Sequence, residues 1–213
     1  MHSAGVAISS LLVVAASVTR INPTPFWTSI VLTVGVSVVG IPHGGLDHLT
    51  GRKMLVDHFP VHWMLLFFPA YLGVAMLVAA GWFVLPVVTA MLFFLMSAWH
   101  FGLEDDRPWF RSRVIDTMSA MAVGGMVIWI PTLVQPERVS EILESIMPTS
   151  LMVSASRILF CTQFIALLLT PISVVLIAKD LWNGNRLRSF RNGSFVLLFA
   201  VADVLISFGI YFC

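Results

Sequence analysis

Two short segments of the chain carry side chains that can hold a metal ion. GIPHGGLDH covers Gly40 to His48, and SAWHFGLEDD covers Ser97 to Asp106. Aligned on His43 and His100, both read His-x-Gly-Leu followed by a carboxylate, Asp47 in the first and Glu104 in the second. In a helix, a histidine and an acid four residues apart lie on one face. A metal-bound imidazole commonly passes its second ring N–H to such a carboxylate, which fixes the tautomer and raises the basicity. The glycine two residues after each histidine lets a second backbone or a ligand approach closely. Two readings stay open on the residues alone. Two imidazoles on neighbouring helices suit a metal site, and their spacing does not separate non-haem iron from axial haem ligation. Alternatively, both motifs are plain helix ends at a polar boundary, where glycines stop helices. His48 lies five residues from His43, about 140° around a regular helix, so the two do not readily bind one metal. Asp203 is a carboxylic acid inside an apolar run, where it must pair, stay neutral or line a polar cavity.

The elements that must position these residues are membrane helices. The chain has 213 residues, 58% hydrophobic and 11% charged, against roughly 25% charged in a soluble domain. Its mean hydropathy is +0.93. A soluble enzyme and a disordered tail are excluded. Twelve Lys+Arg against eleven Asp+Glu leave no basic surface for nucleic acid. Two cysteines make no disulfide framework. A bilayer span needs about 20 apolar residues. Seven runs are candidates: Ala4–Thr19, Phe26–Gly45, Trp63–Ala80, Trp82–Trp99, Val114–Val134, Ile158–Ala178 and Ser194–Cys213. The expected fold is all-α, one polytopic transmembrane helix bundle over residues 1–213. Gly81 alone separates the third and fourth runs, which predicts a tight helical hairpin. Trp27, Trp63, Trp82, Trp99, Trp129 and Trp182 fall near predicted span ends, as aromatic belts do.

Orientation follows from the basic residues in the loops. The N-terminal side receives Arg52, Lys53, Arg107, Arg111, Arg113, Lys179, Arg186, Arg188 and Arg191, and the far side only Arg20, Arg138 and Arg157. The N-terminus is therefore expected in the cytoplasm of a multi-pass cell-membrane protein. The second and fourth spans run the same way, so His43 and His100 approach the same face. One loop, 135–157, repeats Val139, Ile142, Leu143, Ile146 and Met147 at helical spacing and predicts an amphipathic helix on the membrane surface. The run that ends at Cys213 has no polar flank, so the chain is expected to be a fragment of a longer protein.

At PHGGLDH and AWHFGLED the sequence resembles the Brp/Blh family of integral-membrane β-carotene 15,15′-dioxygenases. The early His-Gly-x-x-Asp-His box, the later His-Phe-Gly box and the SFGIYFC tail are similar to that family's pattern from about Pro42 onward. The resemblance implies a non-haem Fe(II) held by four histidines, with His43 and His100 as two of them. The other two would follow Cys213, so the 213-residue chain by itself is expected to bind iron poorly and to be inactive. It further implies β-carotene and O₂ as substrates and two all-trans-retinal as product, made for a rhodopsin partner. Asp47 and Glu104 would then orient ligands rather than bind the metal, with His48 and Asp203 as further candidates around them. A last span crossing fully to the far side would carry the missing pair away from His43 and His100; the paired motifs outweigh that parity count. The rival functions are a bis-histidine haem electron carrier and a non-enzymatic carotenoid- or retinal-binding protein.

Overall fold

The computed structural model describes residues 47–103 and 112–212. Its α-helices are α1 (Asp47–Leu55), α2 (Trp63–Val84), α3 (Pro86–Leu103), α4 (Arg113–Gly124), α5 (Met126–Val134), α6 (Pro136–Ile146), α7 (Met152–Trp182), α8 (Arg186–Val201) and α9 (Val204–Phe212). The predicted spans Ala4–Thr19 and Phe26–Gly45 lie outside the described residues. Among the described residues, α2, α3 and α7 are each long and apolar enough to cross a membrane, and α4 with α5 forms a fourth candidate bent by 57°. Leu65, Leu72, Leu77 and Phe83 of α2 face outward, as lipid-contacting side chains do.

The boundaries differ from expectation where proline and polar groups intervene. Helix α2 runs through Gly81 to Val84, and the hairpin turns at Leu85–Pro86. The proline forces the residue before it out of helical geometry, and Leu85 has φ −136° and ψ 58°. The predicted span Val114–Val134 is two helices. Gly125 sits at the break, and a Cβ there would strike the Trp129 indole. With no side chain in the way, the fully buried Trp129 donates its indole N–H to the Met121 carbonyl at 3.0 Å. Trp129 is therefore a core residue and not part of an aromatic belt. Trp182, 91% exposed, and Trp99 keep the exposure a belt needs.

The predicted last span, Ser194–Cys213, is not one helix either. Helix α8 stops at Val201 and α9 starts at Val204. The Asp203 carboxylate accepts the Leu205 N–H at 2.9 Å, the arrangement of a capping residue. The Gln135 side-chain amide donates to the carbonyls of Phe199 at 3.0 Å and Ala202 at 2.8 Å, groups a helix end leaves unpaired. Helix α9 then folds back along α8. The Ser207 hydroxyl donates to the Leu198 carbonyl at 3.2 Å, and the Tyr211 ring lies 5.0 Å from Phe195.

Helix α6 is amphipathic, as its spacing predicts. Leu143 is buried in a cluster with Ala90 of α3 and Ala155 and Ile158 of α7, joined by the partly buried Val139. Its apolar face thus packs on protein. Together with α3, α5 and α7 it closes over an apolar cavity of about 200 Å³ lined by Phe94, Ile128, Ile142 and Leu159 among others.

Candidate metal centre

His100 lies in the last turn of α3. What sets its position is a close crossing of two backbones. Ala98 and Gly102 of α3 face Ala120 and Gly124 of α4. A Cβ on Gly102 would collide with the Ala120 carbonyl, and one on Gly124 with the Gly102 nitrogen and the Ala98 carbonyl. Both helices carry small residues four apart, the pattern that lets membrane helices touch along their backbones. The glycine of the His-x-Gly motif thus admits a second backbone, one of the two uses expected of it. His100 stands between Ala98 and Gly102 and is exposed on the described surface, with its ring 5.8 Å from that of Phe101.

Phe101 leads to the end of the chain. Its ring is 5.7 Å from Tyr211 of α9, which also meets Phe195 and Phe199 of α8. The fold-back of α9 therefore returns residue 211 to the level of the His100 motif instead of carrying it across the bundle. Beside this aromatic group is a cavity of about 190 Å³ lined by Phe101, Gly124, Met126, Arg191, Asn192 and Tyr211, among others. Near the same end, α7 and α8 are joined by a buried ion pair, Arg188 Nη2 to Asp180 Oδ1 at 2.7 Å.

The other sequence candidates are placed as follows. His43 and Glu104 lie outside the described residues. Asp47 opens α1, and His48 follows it on the exposed surface of that helix. Asp203 is not beside His100. It accepts a hydrogen bond from Arg138 Nε of α6 at 2.9 Å, and α6 packs near Ala90. Ten residues of α3 separate Ala90 from His100, about 15 Å along the axis. Asp203 fastens α6 to the α8–α9 break. Its partner Arg138 is held above its ordinary pKa, chiefly by the hydrogen bond it donates to Glu141 and further by the Asp203 charge, with burial opposing both.

Among the described residues no three His, Cys, Asp or Glu side chains come together as a metal cluster. The described part of the chain contributes one expected ligand, His100, and imidazole is a donor that suits iron. Sequence reasoning missed Asn192, Arg191 and Tyr211. Apolar content starts the last span at Ser194 and puts Asn192 in the loop before it; the helix begins at Arg186 and carries Asn192 well inside. The one available signal was polar RNGS running directly into an apolar stretch.

Residues 34–213 match the model of the family described as beta-carotene 15,15′-dioxygenase. A curated relative from Halobacterium salinarum, described as probable beta-carotene 15,15′-dioxygenase Blh, is 26% identical over 148 residues. That alignment takes in 66% of this chain and 42% of the relative, so the chain spans about two-fifths of the relative's length. No solved structure matches.

Proposed function

The chain belongs to the β-carotene 15,15′-dioxygenase family, and from that premise we propose that the protein cleaves β-carotene at its central 15,15′ double bond with O₂, giving two molecules of all-trans-retinal. The observation that carries this reading is the extent of the family match, which includes both His-x-Gly-Leu-carboxylate motifs. The return of Tyr211 to Phe101 supports it, because it brings the end of α9 to the level of the His100 motif.

In this reading His43 and His100 contribute two imidazoles to a non-haem Fe(II). Iron held by these imidazoles would supply O₂ activation. The chain's own residues do the rest. Asp47 and Glu104 orient the imidazoles through their second ring nitrogens. Asp203 pairs instead with Arg138 of α6, and His48, next to Asp47 in α1, is a further candidate for that orientation. The crossing at Gly102 and Gly124 holds His100 in place. The substrate is an apolar polyene dissolved in the bilayer, so an intramembrane site avoids moving it through water. The predominantly apolar walls of the cavity under α6 suit such a molecule. The His100 end of the bundle, with Arg113, Lys179, Arg186, Arg188 and Arg191, faces the cytoplasm of a multi-pass cell-membrane protein. Retinal made there serves a rhodopsin in the same membrane.

The test is expression of the full-length protein in a carotene-accumulating bacterium. Retinal is expected with the wild type and none with His100→Ala. Undiminished retinal in that variant would remove His100 from the site. The absorption spectrum of the purified protein is expected to lack a Soret band; its presence would favour the haem electron carrier instead.

A further inference from the structure

The cavity beside the His100 motif has a polar end. Asn192 is 3% exposed, and its side-chain Nδ2 has no hydrogen-bond partner. The amide's orientation follows from its other half: Arg191 Nε donates to Asn192 Oδ1 at 3.2 Å, so the NH₂ group is the half left to donate. A buried amide N–H without an acceptor is unfavourable, and native proteins rarely keep one without a reason. Arg191 and Tyr211, which line the cavity with it, also bear donor groups. No carboxylate is among the described lining residues. The remaining wall is apolar, built from Phe101, Val123, Met126, Val127 and Phe195 with Gly124.

Size selects further. At about 190 Å³ the cavity far exceeds the ~10–15 Å³ that one water requires and falls short of the ~300–1,000 Å³ of a pocket that encloses a whole ligand, so it takes one end of a longer molecule. A site with donors at one end and aromatic and aliphatic walls elsewhere fits an apolar body that ends in an acceptor oxygen. A hydrocarbon such as β-carotene leaves the Asn192 amide unsatisfied. A polyene aldehyde satisfies it. We propose that Asn192 binds the carbonyl oxygen of a polyene aldehyde in the cavity between α3, the α4–α5 break, α8 and α9, so that the site holds the product of cleavage. The identity of the ligand rests on the function proposed above; the donor character of the site does not.

The experiment adds all-trans-retinal to purified full-length protein in micelles, with no turnover involved. The C=O stretch of bound retinal is read by Raman spectroscopy, and its Kd by tryptophan quenching. The probes are retinal and the corresponding hydrocarbon lacking the oxygen. In the wild type the stretch is expected to fall below its value in empty micelles. Asn192→Ala is expected to return it and to weaken retinal binding about 5–10-fold, leaving hydrocarbon binding unchanged. Asn192→Asp, nearly isosteric, offers an acceptor for a donor and is expected to have the same effect if the alanine variant does not fold. A C=O stretch that is the same in wild type, variant and empty micelles overturns the proposal. So does an equal loss of retinal and hydrocarbon binding, which marks a packing role only. Retinal formation in cells with no Asn192-dependent shift would leave the dioxygenase reading standing and this one refuted. An Asn192-dependent shift without retinal formation would do the reverse.

Discussion

At the scale of single residues, Gly102 and His100 separate structure from chemistry. Both belong to one motif, yet they answer to different demands. The backbone of Ala120 fills the space a Gly102 side chain would need. Gly102→Val is expected to destabilise the bundle by roughly 1–3 kcal/mol or more, read as earlier thermal unfolding in micelles, and to lower retinal formation with it. His100 is exposed on the described surface, so His100→Ala is expected to unfold at the wild-type temperature while its retinal output disappears. Equal unfolding temperatures for Gly102→Val and wild type would mean that the α3–α4 crossing is looser than described. The sequence already marked both residues, because motif spacing is visible without a fold. It left open whether the glycine admits a ligand or a backbone, since that depends on which helix lies opposite.

At the scale of elements, the decisive feature is the break between α8 and α9. Gln135, from the end of α5, supplies the donors for two carbonyls that the break exposes. Gln135→Ala leaves those carbonyls without that donor, and a loss of about 1–3 kcal/mol is expected, with faster amide hydrogen exchange in α9. Arg138→Ala is expected to cost less, under about 1 kcal/mol, because its pair with Asp203 is 39% and 31% exposed and screened by solvent. If Arg138→Ala is the more damaging change, Asp203 rather than Gln135 holds the break. An apolar run of 20 residues reads as a span from composition alone. Asp203 was the one sign of interruption, and its partners lie 65 and more residues away in sequence, beyond the reach of any local pattern.

At the scale of the whole molecule, charge and exposure define two ends. The His100 end gathers the α7–α8 turn, where Trp182 is 91% exposed, and the opposite end holds α6. Trp182→Cys is expected to react with an impermeant maleimide only from the cytoplasmic side, in inverted vesicles and not in intact cells. Labelling in intact cells would reverse the orientation. Val127 lines both the apolar cavity under α6 and the cavity at Asn192. A polyene therefore has apolar walls at both levels of the bundle and the unpartnered Asn192 amide at one of them.

The sequence by itself determined the membrane-helix class, the paired histidine motifs and the family, because composition and short-range spacing are properties of the chain before it folds. It also placed helices over most of the predicted runs, since apolar length and helical periodicity are local. The tertiary structure decided where those runs break, that Trp129 is core, that Asp203 serves a helix junction, and that Asn192 ends at a cavity near His100. Each of these depends on which distant group meets an unpaired carbonyl, an indole or an amide, and only packing brings such groups together.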